Sequence, residues 1–506
     1  MTGRQGARAG LVFACFRASL GDDPVIEPQT HDESSRPLLE TRRIALQAAL
    51  FFLTLASTTG SAYGWNSARK AYPGSIRAVA VQAGSSRRDG RPAIVRTALT
   101  SAERGAQMTF EVALAMRNFA ELQDRIARGE LVPAQEMDAR YFPLQSDYDR
   151  VVQWVKDQGF TVTRTDANKL AVFARGSVDS TAVAFQVSFA RVSYLGAEYS
   201  SAVTEPSIPA ELSPIVLGIH GLQPHLRPRP MVHLKPMVNG FAGYAPSQIL
   251  KAYGAGSIAQ DGTGQTIAMV EQVFPLLSDL TTFWTDAGVA NSTTKVQMIP
   301  VGVGPDPSTE TNYYPELEEA DLDAEWASAI APGAHLRIYG AGTSDSGSFD
   351  EAYQQIDKDL SSYPQIHQLS LSFGSIEDEL DHDYFLIESQ YMANLTAAGV
   401  TVFVASGDGG AQPDPVTGQY NVNAPVQVTY PASDPSVTGV GGTHLVLNPD
   451  NSIEGETGWS GSGGGVSTIY ARPAWQAGAS IPAGAFRMVP DIAAVADLDP
   501  GALVVD

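Results

Sequence analysis

From residue 265 onwards, short apolar runs recur with helical stretches between some of them: QTIAMVE, HLRIYG, QLSLSFG, GVTVFVASGD and VTGVGGT, with helices predicted over 317–331 and 383–398. Short runs rich in apolar and β-branched residues suit strands buried on both faces, which a parallel sheet covered by helices provides. The pattern predicts a doubly wound parallel α/β domain from about residue 241. It also directs attention to the carboxyl ends of those strands, where such sheets carry their chemistry.

A different rhythm precedes it. QMTFEVALAM alternates as a strand, while NFAELQDRIARGEL and QSDYDRVVQWVKDQGF read as helices, the second with Val151, Val152, Trp154 and Val155 on its apolar face. FTVTRTDANKLAVFARG looks like a hairpin, and STAVAFQVSFARVSYLGAEYSS like a helix edge running into strands. Together they predict a small α+β sandwich over 107–226. Pro224, Pro228, Pro230 and Pro236 then mark a linker between two domains.

Residues 65–106, rich in Arg, Gly and Ser, read as a mobile link, and residues 1–64 as a tail with a targeting segment. Its apolar run, Ile44 to Ser57, follows Arg42-Arg43 and is short for a membrane span of about 20 residues. With Gly60 and Ala62 behind it, the segment 44–62 reads as a secretory signal, and Thr41-Arg42-Arg43 weakly resembles a twin-arginine signal. The tail ahead of it leaves an uncleaved anchor as the alternative. Export from the cell is the expectation.

Charge separates the two parts. Of 33 basic and 55 acidic residues, 1–240 hold 27 and 22, whereas 241–506 hold 6 and 33. Parts of opposite sign attract, so electrostatic docking of one on the other is expected, and the acidic part would repel nucleic acid. A lone Cys15 excludes an intramolecular disulfide framework and a thiolate zinc site. The eight histidines form no H-E-x-x-H pair, which argues against a His-based metal centre.

Three motifs could carry chemistry. Glu319 and Asp323, in Glu-Ala-Asp-Leu-Asp, share one face of a helix; taken alone they read as a solvated acidic face, since Glu316, Glu318, Asp321 and Glu325 surround them. Ser406-Gly407-Asp408-Gly409-Gly410 ends the strand GVTVFVA, where an α/β protein presents a side chain; with no Lys following, it is not a phosphate loop. Gly461-Ser-Gly-Gly-Gly465 fails as a dinucleotide fingerprint and reads as a flexible wall beside a groove or as a plain loop. A non-peptidase binding protein for sugars or nucleotides has only these glycines in its favour.

In combination the motifs are more telling. YAPSQILKAYG (244–254), GTGQTIAMVE (262–271), EADLD (319–323), SLSFG (370–374), VASGDGG (404–410), TYPASDPSVTGVGGTHL (429–445), GSGGGVS (461–467) and RMVPDIAA (487–494) resemble the sedolisin or kumamolisin family of serine-carboxyl peptidases. GAEYSS, TEPSIPAEL and VLGIHGLQPHLRPRP resemble that family's activation prodomain.

The resemblance implies a subtilisin-like parallel-sheet catalytic domain over 241–506, incomplete at its C-terminus, behind a ferredoxin-like α+β prodomain over 107–230. It implies Glu319 as general base, Asp323 as the carboxylate orienting it, and Asp408 as a protonated oxyanion-hole acid. Ser372 and Gly374 match the edge that pairs with an extended peptide, and Gly463, Gly464 and Gly465 the facing wall. Glu271 could join the acidic network, from which Phe373 withholds the indole donor that some relatives have. The family's nucleophile lies in a Gly-Thr-Ser motif beyond the stretch matching RMVPDIAA, so the segment carrying it is expected to be missing from residues 1–506. The implied calcium loop lies further on still. The resemblance thus implies an acid-active, secreted, monomeric zymogen, acting on protein or peptide substrates and inhibited by its own prodomain. An inactive, peptide-binding remnant is the alternative.

Overall fold

The strand-helix alternation of residues 107–220 assembles a four-stranded antiparallel sheet. The elements are β1 (Gln107–Leu114), α1 (Phe119–Ala127), α2 (Gln145–Asp157), β2 (Thr161–Thr165), β3 (Ala171–Ser177), α3 (Val178–Phe185) and β4 (Val216–His220). The order β4-β1-β3-β2 is that of a ferredoxin-like split βαβ unit. This computed structural model describes residues 5–8, 68–79, 95–194, 196–231, 243–302, 306–309, 316–342, 347–414, 418–478 and 481–505. Cys15 and the signal-like segment 44–62 lie outside them. Among the described residues no helix is long and apolar enough to cross a membrane.

Period-two alternation sorts the two faces of this sheet. Phe110 and Val112, cross-strand partners of Ala174 and Val172, belong to the face covered by helices, where Phe110 and Trp154 both meet the Phe185 ring edge-on at 5.1 and 5.4 Å between centroids. Glu111 and Ala113, partners of Phe173 and Ala171, belong to the opposite face. That face meets the second half of the chain.

The second half builds an eight-stranded sheet. Strands β6 (Thr266–Glu271), β7 (Val296–Pro300), β8 (His335–Gly340), β9 (Ile366–Leu371), β11 (Thr401–Ala405) and β12 (Thr438–Leu447) run parallel in the order β7-β8-β6-β9-β11-β12. Ile453–Gly458 (β13) joins β12 antiparallel, and Ile492–Val495 (β14) joins it parallel. Three helices pack against these strands: α4 (Glu316–Ile330), α5 (Gly347–Asp359) and α6 (His382–Ala397). β10 (Phe373–Ile376) follows β9 directly. The five runs singled out in the sequence all lie in this architecture, whereas β7 and β14 carry weaker patterns that sequence reading passes over. GALVVD ends in a buried strand, Ala502–Val505, whose Leu503 carbonyl accepts the Trp326 indole N–H at 2.7 Å.

The contact between the halves differs from the expected attraction of opposite charges. Ala113, Met116, Leu122, Tyr141, Phe142, Ala171 and Phe173 share one hydrophobic core with Phe349, Tyr353, Tyr391 and Met392. Polar contacts are threaded through it: Tyr391 donates to Glu111 at 3.1 Å, Gln390 reaches the backbone of Met116 and Leu114 at 2.5 and 3.0 Å, and His220 Nδ1 lies 2.6 Å from Asp350. Net charge is a whole-surface property, and the buried patch is chosen by apolar complementarity. Phe173→Ala is expected to cost about 3–5 kcal/mol in urea denaturation. In 1 M NaCl the Met116 amide, which donates to Gln390 across the boundary, should keep its protection from hydrogen exchange, whereas a salt-induced loss would mark the docking as electrostatic.

Candidate active site

Helix α4 is the element that departs most from its sequence reading. Every residue from Leu317 to Ala329 is buried, so the solvated acidic face expected there is instead an interior one. The cause is placement: α4 packs between β6 and β8 of the sheet, the strand Ala502–Val505 and the helices Pro246–Ala252 and Leu277–Asp286, which cover it from several sides. Three of its carboxylates each receive a donor: Leu276 N–H donates to Asp321 at 2.9 Å, Val505 N–H reaches Glu325 at 3.2 Å, and Ser372 Oγ donates to Asp323 at 2.7 Å. Such donors offset the cost of removing the carboxylates from water.

The structure brings Glu319, Asp323, Glu271, Ser372 and Asp408 together at the carboxyl ends of the sheet. Glu271 is the last residue of β6, Ser372 follows β9, and Asp408 follows β11. Burial first, then the charges of Asp323 and Asp408, hold the Glu319 carboxyl well above its ordinary range, with Ser372 pulling the other way. Burial and then the Asp323 and Glu319 charges raise Glu271 likewise. Asp323 is pushed up to about 6 by burial, against hydrogen bonds from Ser372 and Glu271. Burial alone pushes Asp408 up to about 8. A carboxyl-carboxyl contact such as Glu271 with Asp323 requires a shared proton. Asp408 is a neutral acid able to donate a hydrogen bond below pH 8.

The groove above this cluster is formed by backbone. β10 (Phe373–Ile376) is its edge, and Gly407, Asp408 and Gly463 form the opposite side. Gly407 has φ of +100°, and a Cβ on Gly463 would lie 1.9 Å from the Ser406 carbonyl oxygen, so both positions require glycine. Gly463 N–H donates to Gly407 O at 2.6 Å and Ser406 Oγ to Gly463 O at 2.7 Å. These bonds lock the loop against the Asp408 turn. Gly464 packs against Val489 and Pro490, and Gly465 pairs with Val489. Phe373, fully buried, packs on Phe349 with centroids 5.5 Å apart.

An extended segment lies in this groove. Arg229–Pro230 (β5) pairs antiparallel with β10, Arg229 opposite Gly374 and Pro230 opposite Phe373, and Met231 N–H donates to Ser372 O at 2.9 Å. The inter-domain linker thus occupies the edge that the resemblance reserves for a peptide. No pattern in the sequence signals that pairing.

A Gly-Thr-Ser triplet, passed over in the sequence reading, stands at Gly342-Thr343-Ser344, beginning two residues after β8 ends; Thr343 and Ser344 lie outside the described residues. For calcium, the only cluster of three potential ligands among the described residues is Glu111, His220 and Asp350. Its imidazole is already bonded to Asp350, and calcium takes six to eight oxygens, so this set does not fit that ion.

The raised carboxyls give stability a definite sign. A group protonated more readily in the folded than in the unfolded chain stabilises the fold below its unfolded pKa, near 4, and loses that contribution as pH rises through the folded value. The melting temperature should therefore fall between pH 5 and pH 9 in calorimetry, with Asp323 contributing near pH 6 and Asp408 near pH 8. Asp408→Asn should flatten the upper part of that decline.

Residues 97–224 match the family described as Pro-kumamolisin, activation domain. The chain is 29% identical to kumamolisin of Bacillus sp. (strain MN-32) over 455 residues, 84% of this chain and 80% of the relative. With sedolisin of Pseudomonas sp. (strain 101) it shares 28% identity over 403 residues, 74% of this chain and 66% of the relative. A solved structure of Pseudomonas sedolisin aligns with 52% of this chain and 73% of that one, at 27% identity and a TM-score of 0.45. With its ferredoxin-like module matching the activation domain and its parallel-sheet half gathering a buried acidic cluster beside a strand edge, this chain is similar along most of its length to the sedolisin family of serine-type peptidases and carries that family's activation domain.

Proposed function

We propose that this protein is the zymogen of a secreted, acid-active serine-carboxyl peptidase that hydrolyses peptide bonds in proteins and is held inactive by its own prodomain. The observation that carries this reading is the linker strand 229–231, extended along β10 in the groove that Asp408 lines and bonded to Ser372, whose hydroxyl reaches Asp323. Glu319 is assigned as the base that takes the proton of a serine nucleophile, Asp323 as the group that orients it, and neutral Asp408 as the hydrogen-bond donor to the oxyanion. Ser372 and Gly374 are assigned to substrate pairing, with Gly463 on the facing wall, Gly464 and Gly465 behind it, and Glu271 and Phe373 behind the acidic pair.

Linker burial silences the site by filling the groove: residues 229–231 take the β10 edge that a substrate would need. The nucleophile belongs to a Gly-Thr-Ser motif.

A peptide-binding protein without catalysis is the second reading. In its favour, the hydroxyl bonded to Asp323 is that of Ser372, which is only 1% exposed and poorly placed for attack. To separate the two, the chain is incubated at pH 3–5, following cleavage near the linker and hydrolysis of a denatured protein. Glu319→Gln and Asp408→Ala should each reduce both by about 100-fold or more. Cleavage that survives Glu319→Gln overturns the assignment. Loss of cleavage in Ser344→Ala would place the nucleophile in the triplet after β8. An inert chain that gains activity when a relative's Gly-Thr-Ser segment is fused to it would place the nucleophile in that segment.

A further inference from the structure

The linker strand carries information beyond occupancy. Arg229, opposite Gly374, holds its Nη2 3.7 Å from Glu379 Oε2 and 3.0 Å from the Tyr194 hydroxyl, with the guanidinium 5.6 Å from the centre of the Tyr194 ring. Tyr194 OH in turn donates to Glu379 Oε1 at 3.3 Å. Glu379 ends the turn Glu377–Glu379 that directly follows β10, and it lines the same groove as Asp408. Its neighbour Glu377 is committed elsewhere, accepting from Ser467 Oγ at 2.6 Å and Thr468 N–H at 2.8 Å. Glu379 is the carboxylate of this turn that meets the extended chain.

The two partners of Arg229 have different fates. Tyr194 belongs to the prodomain and leaves with it, whereas Glu379 belongs to the groove wall and stays. The strand runs from Arg229 towards Met231, whose amide bonds Ser372 O, and Ser372 Oγ reaches Asp323. A peptide bound in the linker's direction would place the residue opposite Gly374 upstream of the bond attacked. There its side chain would meet a half-sealed carboxylate, 13% exposed with Arg229 in place, where a cation gains and an acidic or apolar side chain does not.

We propose that Glu379 is a specificity-determining residue of this groove, selecting arginine or lysine at the peptide position that pairs with Gly374, and that Arg229 is the prodomain's own copy of that residue. The inference rests on the peptidase reading for its consequence in catalysis, and on the Arg229 contact for its geometry. Two synthetic peptides that differ only by Arg or Leu ahead of Pro-Met-Val are offered to the acid-treated wild-type and Glu379→Gln chains. The Arg-to-Leu ratio of cleavage rates should favour Arg in the wild type and fall about tenfold in the variant. Equal ratios in the two proteins overturn the proposal while leaving the peptidase reading intact. Should the wild type cleave neither peptide, the subsite is judged by hydrogen exchange of the Met231 amide at neutral pH, independently of the peptidase reading. Faster exchange in Glu379→Gln and in Arg229→Leu supports a basic-residue subsite, and unchanged exchange in both overturns it.

Discussion

The site depends on one costly arrangement, a helix that carries several carboxylates through the interior of an α/β domain. Glu319 and Asp323 lie one turn apart on α4 with Glu271 against them, and none is more than 3% exposed. Charges so placed cannot all be ionised, and their protons become shared. The surrounding architecture keeps the cluster tolerable by aiming single donors at it: the Ser372 hydroxyl at Asp323, the Leu276 amide at Asp321 and the Val505 amide at Glu325. Each donor comes from a different strand end or loop. The helix, the sheet edge and the segment 502–505 are therefore held in one mutual arrangement.

Inhibition arises from the same geometry. β10 leaves an edge beside the cluster, and an unpaired edge beside a reactive site accepts any extended chain. The linker satisfies it from within the molecule, delivered by a ferredoxin-like module whose docking face is largely apolar. An apolar interface resists salt and binds at any charge state of the surface. Polar contacts also cross this boundary in its core, among them His220 against Asp350 and the Tyr391 hydroxyl on Glu111.

Much of the fold is legible from residue pattern. The runs at 266–271, 335–340, 366–371 and 401–405 are apolar on both faces because both faces are buried, and the alternation at 107–114 marks a strand whose two faces meet different layers. Strand 296–300, VQMIP, is not legible because as an edge strand it is half-exposed. The site is legible only as three separate motifs. Taken alone, the acidic helix reads as solvated, since sequence spacing gives the face a side chain shares but not what covers that face.

By itself the sequence determined the local order: which segments are strands and helices, that two modules are joined by a proline-rich link, and which carboxylates share a helix face. These properties come from periodicity and backbone sterics, which act over a few residues. Only the tertiary structure decided that the acidic face is interior, that Glu271 lies against Asp323 across 52 positions of chain, that the modules meet through apolar surface, and that Arg229 reaches Glu379. Burial and pairing depend on what the rest of the chain places alongside, and that is set by the sum of long-range contacts.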